Sequence, residues 1–271
     1  MADAGVRGAM RDFGGVACCT PGLVVRPSSA AEIATVVQDA RTRPFADVVA
    51  RGCGHSSRGE SLTDGVALDM RGMATVHQIS EDCVVVDAGA TWREVLSATL
   101  PFGRMPPVLI DYLDLTVGGT LSAAGIGGAS HIHGTQAANV IELEAVTPAG
   151  EVVTCSPTRR YQLFDSLRAG MGRRGVITRA SLRLIAAPER VLSCRARYTS
   201  AAELIAAQGC ITADHISGQV KSSGFERQRH AAHLTSGTHP VMPGEQSSGC
   251  GCARRTSRNR LCRRSFHGGD A

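Results

Sequence analysis

Arg51-Gly52-Cys53-Gly54-His55-Ser56 is the stretch on which the reading of this chain turns. It follows Val48-Val49-Ala50, and the β-branched pair predicts a strand that runs through Arg51 into the glycines. Glycine has no Cβ, so a backbone of this composition can approach a ligand as closely as a pyrophosphate requires. A histidine at the end of a strand, beside such glycines, has its ring free to meet that ligand. Taken alone, the motif is equally consistent with an ordinary turn.

Working outward, Leu23-Val24-Val25-Arg26-Pro27 reads as a short strand stopped by proline. Ser28-Ser29 can cap a helix from Ala30 to Arg43, in which Ile33, Val36, Val37 and Ala40 fall at helical spacing. Downstream, Gly65–Met70 and Cys83–Ala90 predict strands, and Trp92–Leu100 a short amphipathic helix. Thr116–Gly125 is a glycine-rich loop passing into a small-residue helix or turn. Val140–Thr147 predicts a buried strand, turned by Pro148-Ala149-Gly150 into Glu151–Thr154 as a hairpin. A helix over Tyr161–Leu167 and a last strand pair from Gly175 to Ala186 complete an α+β domain.

The chain has 271 residues and is 43% hydrophobic, enough to build a sizeable core. Its net charge of +5 is unevenly placed. Residues 201–271 hold nine Lys and Arg against five Asp and Glu, whereas residues 1–200 hold twenty against nineteen. The main domain therefore lacks the basic surface of a nucleic-acid binder, and no nucleic-acid partner is expected. From Gly218 onward apolar residues are sparse and aperiodic, and a segment of that kind cannot offset its chain entropy. The reading for 201–271 is a disordered tail, with an onset abrupt enough to resemble a frameshift or mis-spliced gene. Arg254-Arg255-Thr256-Ser257-Arg258 and Arg260 lack interleaved aromatics and read as solvated. Cys250, Cys252, Cys262 and His267 do not have zinc-ligand spacing, and His131 with His133 has no joining cluster, so no metal is expected. The ten cysteines show no disulfide framework. No apolar run is long enough to span a membrane and residues 1–10 lack a signal-peptide core, which reads as a cytoplasmic protein with no membrane partner.

Several motifs follow the first in order: Leu68-Asp69-Met70-Arg71-Gly72-Met73, Val86-Asp87-Ala88-Gly89-Ala90-Thr91-Trp92-Arg93-Glu94-Val95-Leu96, Asp111-Tyr112-Leu113-Asp114-Leu115-Thr116-Val117-Gly118-Gly119, His133-Gly134 and Gly175-Val176-Ile177-Thr178. From about residue 10 to residue 200 the set resembles the cytokinin dehydrogenases, flavoproteins of the vanillyl-alcohol-oxidase group. The resemblance implies a two-part, PCMH-type FAD-binding domain of two α/β subdomains over 16–200, with the family's substrate-binding domain missing. It implies that His55 carries FAD covalently on the flavin 8α-methyl group, a role suited to the nucleophilic nitrogen of a neutral imidazole. Ala50, Gly52, Cys53, Gly54, Ser56 and Glu60, then Thr116, Ser122, Ile126 and Ile177, match positions that touch the cofactor. Asp111 matches the family's catalytic base, which also lies against the flavin, and Asp114 is a weaker rival. The implied reaction oxidises the N6 side-chain amine of a cytokinin to an imine that hydrolyses to adenine and an aldehyde. A quinone or dioxygen would be the acceptor, and a monomer is expected.

Some positions depart from the family. Glu60 replaces a glutamine, Ile110 an aromatic, and Gly170-Met171-Gly172-Arg173-Arg174-Gly175 places arginine where the family buries an aromatic ring. An arginine buried there without a partner would cost several kcal/mol. Other flavin oxidases of the same fold, a flavin-binding remnant without turnover and a nucleic-acid binder acting through its tail are the alternative readings.

Overall fold

The computed structural model describes residues 4–42, 47–198, 200–211, 213–221, 229–237 and 263–267. It divides into two compact units, residues 1–186 and 187–271.

In the first unit, α1 (Ala4–Ala9) precedes a three-stranded parallel sheet of β1 (Leu23–Val25), β2 (Val48–Arg51) and β3 (Val66–Asp69), in the order β1-β3-β2. α2 (Ala30–Arg41) makes the crossover from β1 to β2. Its start is fixed as the sequence predicts: Ser29 Oγ accepts the Glu32 N–H, and the Glu32 carboxylate accepts the Ser28 N–H at 2.9 Å. Ile33, Ala34, Val37 and Ala40 bury one face, and Ile33 packs with Val66, Leu68 and Met70.

The second sheet holds β4 (Val76–Ile79), β5 (Cys83–Asp87), β7 (Val140–Val146), β8 (Val152–Cys155) and β9 (Val176–Arg183) in the order β4-β5-β9-β7-β8, all antiparallel. The β7–β8 hairpin turns through Gly150, whose φ is 78°. β6 (Arg104–Met105) pairs with β10 (Ile185–Ala186) beside it. α3 (Trp92–Thr99) starts at a reciprocal cap, in which the Thr91 hydroxyl accepts the Glu94 N–H and the Glu94 carboxylate accepts the Thr91 N–H. α3, the short α4 (Val117–Ser122) and α6 (Tyr161–Leu167) bury Trp92, Val95, Leu121 and Phe164 against the sheet, while α5 (Ser130–His133) buries no residue fully. Val146 and Val176 belong to the core under α2, so the two sheets share packing where β7 and β9 meet the parallel sheet. The site lies at that junction.

In the second unit, β11 (Val191–Tyr198), β12 (His215–Lys221), β13 (Arg229–Gly237) and β14 (Arg263–His267) form an antiparallel sheet in the order β12-β13-β11-β14. α7 (Ala201–Cys210) is capped by the Ser200 hydroxyl. The described parts of 201–271 are thus α7, β12, β13 and β14. Cys250, Cys252, Cys262 and the arginines at 254, 255, 258 and 260 lie outside the described residues. Among the described residues no helix is long and apolar enough to cross a membrane.

Candidate cofactor site

Ligands of parallel sheets gather beyond the carboxyl ends of the strands. β2 ends there at Arg51, and the chain then turns through Gly52–Ser61 to form one wall of a cleft with a cavity volume of about 270 Å³. Leu115–Thr116 and α4 form a second wall, and Met171–Ile177 a third. Backbone bonds tie the second wall to the end of β5 and to the third wall: Gly118 N–H to Ala88 O (2.8 Å), Val117 N–H to Ala90 O (2.8 Å) and Met171 N–H to Ser122 O (2.9 Å). Trp92 Nε1–H donates to Thr120 Oγ1 at 2.8 Å from below.

Glycine is required at the turn itself. Gly54 has φ of +72°, and a Cβ on Gly52 would overlap the Thr116 hydroxyl across the cleft. Ala50, Gly52, Cys53, Gly54, His55, Ser56, Glu60, Thr116, Ser122 and Ile177 all line this cleft. Two residues expected with them do not. Ile126 stands 73% exposed on the loop after α4, and Asp111 is exposed in the loop before Tyr112. That loop nevertheless reaches the site, because the Tyr112 ring stacks on the His55 imidazole with centroids 4.9 Å apart. Phe13 also stacks on His55, at 4.9 Å and 8° between planes. The sequence reading includes Tyr112 only as part of the Asp111 motif and Phe13 not at all, and no local pattern marks either contact, since the paired residues stand about forty and sixty positions apart.

The ionisable groups are held in distinct states. Burial pushes the Cys53 thiol up, and the group donates to the Asp114 carbonyl at 2.9 Å, so it is a neutral donor rather than a thiolate. Cys53 should accordingly react with iodoacetamide more slowly than exposed Cys18 at pH 8, read by mass spectrometry of the two peptides. Equal rates would mean that the thiol is free. The Arg58 N–H, bonded to Glu60 Oε2 at 2.8 Å, holds the Glu60 carboxyl below its usual range, which ties the extra charge of this position to its own loop. Asp114 is occupied by Arg93, whose side-chain hydrogen bond, one arm of it 3.0 Å long, holds that carboxyl low as well. Arg173 and Arg174 are exposed, so the penalty that burial would have brought at the aromatic position of the motif does not arise.

Six of the lining residues are glycine, and they lie on all three walls. An elongated, flat ligand can therefore rest against main chain along the cleft, which is what FAD needs of a site. Residues 21–156 match the family described as FAD binding domain, and the chain belongs to that family. It is similar to "Cytokinin dehydrogenase 7" of Oryza sativa subsp. japonica, 42% identical over 80% of this chain and 42% of that protein. It is also similar to the "Uncharacterized oxidoreductase ORF5 in fasciation locus" of Rhodococcoides fascians, 38% identical over 82% of this chain and 52% of that protein. A third relative, "Cytokinin dehydrogenase 2" of Oryza sativa subsp. japonica, aligns over 87% of the chain at 39% identity, which carries the likeness past residue 200. The chain spans about half the length of these curated relatives.

Proposed function

We propose that this chain is the flavin-holding part of an FAD-dependent amine oxidoreductase of the cytokinin dehydrogenase type, with FAD bonded through His55. The observation that carries the reading is the convergence on one cleft of ten of the twelve residues assigned to the cofactor from sequence, with His55 among them. Bound FAD would supply the two-electron acceptor for oxidation of a C–H bond next to nitrogen. The residues of this chain supply the cofactor's site and a proton acceptor. Gly52, Gly54 and the segment from Thr116 to Ser122 hold the cofactor against main chain. Cys53 braces the turn on the Asp114 carbonyl. Asp111, one residue from the ring that touches His55, accepts the N–H proton of the amine.

The reading is tested with the purified chain, an N6-isopentenyl adenine and a quinone-type dye. Dye bleaching with release of adenine and an aldehyde is expected, and Asp111→Asn should lower turnover by about a hundredfold while keeping its flavin. A flavin-loaded chain that reduces no dye would be a flavin binder without turnover.

A further inference from the structure

The segment from Gly8 to Gly15 is bound directly over the His55 turn. Phe13 N–H donates to Gly54 O at 2.8 Å and Gly14 N–H to Ser56 O at 3.1 Å, one bond on either side of His55. Asp12, only 8% exposed, accepts the Gly59 N–H (2.7 Å), the Ser56 hydroxyl (2.9 Å) and its own loop's Gly15 N–H (3.1 Å). Burial works to raise the Asp12 pKa, but these three donors outweigh it and leave the carboxylate below its usual range. From the other side, Arg51 donates to the carbonyls of Gly8 (3.0 Å) and Arg11 (2.6 Å) and to Ser61 Oγ (3.0 Å), which meets Ser56 Oγ at 2.6 Å.

Ala9 is buried, but no residue of this strap belongs to either core cluster, and its aromatic ring is 74% exposed. What Phe13 does touch is the imidazole. A histidine on a glycine turn has three staggered χ1 wells and a broad χ2 to sample. Here the backbone on both sides of it is pinned and its ring is held flat against Phe13 and Tyr112.

We propose that Asp12 and Phe13 are positioning residues for the attachment of flavin to His55. The inference rests on the covalent role of His55 proposed above. Attachment forms a bond between an imidazole nitrogen and the flavin 8α carbon. The two hydrogens displaced pass to the isoalloxazine as two protons and two electrons, and dioxygen takes these up as hydrogen peroxide. No group on the chain is oxidised or reduced overall, so the contribution of the protein is the geometry of the nucleophile, and misplacement of a reacting group by an ångström can cost about 10²-fold in rate.

The test uses the full chain produced in a riboflavin-starved host and then given FAD. Acid-insoluble flavin is followed with time, and total bound flavin is measured separately by gel filtration. Phe13→Leu keeps an apolar side chain at an exposed position, so it should fold and bind FAD as the parent does, yet attach it roughly 10- to 100-fold more slowly. Asp12→Asn should slow attachment in the same sense. Parent-like attachment in Phe13→Leu overturns the strap's role alone. So does an equal fall in total binding and attachment, which would mark a merely structural part. A parent chain that binds FAD but retains none through acid overturns the His55 linkage, and the strap's role with it.

Discussion

His55→Ala should leave no flavin in the acid precipitate while the same protein, kept native, still binds FAD. His55 is the one nitrogen nucleophile among the side chains that line the cleft. Its nearest competitor in the turn, Cys53, is held as a neutral thiol by burial and is engaged with the Asp114 carbonyl. The lining serines carry neutral hydroxyls, weaker nucleophiles than an imidazole, and three of them are engaged: Ser56 with Asp12 and Ser61, and Ser122 with the Gly118 carbonyl at 2.8 Å. None can replace the imidazole. The glycines and Thr116 that form the walls are untouched by the substitution, so non-covalent affinity should survive. The measurement is absorbance of the washed acid pellet beside flavin fluorescence released from native protein. Acid-stable flavin in His55→Ala would place the linkage elsewhere.

Trp92→Ala should cost about 3–5 kcal/mol, the range for deleting a large buried aromatic. Trp92 is the only tryptophan of the chain and is 2% exposed, packed beneath α4 with Val95, Leu121 and Leu143. Its indole N–H also donates to Thr120, a residue of the cleft wall, so the same substitution loosens the support of the cofactor. Against a typical stability of about 5–15 kcal/mol, a loss of that size removes a large share of the folding free energy. Urea unfolding followed by circular dichroism reads it. Trp92→Phe separates the two roles: it keeps most of the packing and gives up one buried hydrogen bond, at roughly 1–3 kcal/mol. A Trp92→Ala chain within about 1 kcal/mol of the parent would mean that this core is not what holds the wall.

Much of this was legible in the sequence because it depends on local pattern. Ser29 before Ile33, Val37 and Ala40 marks the start and the buried face of α2, and both lie where the spacing puts them. Val48–Arg51 ends at the glycines, and the hairpin at Pro148-Ala149-Gly150 follows from its turn residues. β4 escaped because Val76-His77-Gln78-Ile79 has no apolar alternation: it is an edge strand whose His77 bonds to Asp87 across the pair. The strap escaped for another reason. Met10–Gly15 carries no helical or strand period, and its main-chain bonds, the Asp12 carboxylate and the Phe13 ring all meet a turn some forty residues away. At 174 an arginine stands where the family buries an aromatic ring; both it and Arg173 are exposed, so the cost of a buried, unpaired charge does not arise. Asp111 stays apart from the cleft lining because a loop between α3 and α4, not a regular element, sets its place.

The central claim is that the cleft between the two sheets of the first unit holds FAD. The direct measurement is gel filtration of the folded chain after incubation with FAD, with flavin and protein absorbance read across the same peak, beside a Gly52→Val variant. The account predicts one flavin per chain in the parent and none in the variant, whose added side chain would run into Thr116 across the cleft. A folded parent that elutes colourless, or a Gly52→Val chain that holds flavin as well as the parent, would contradict it.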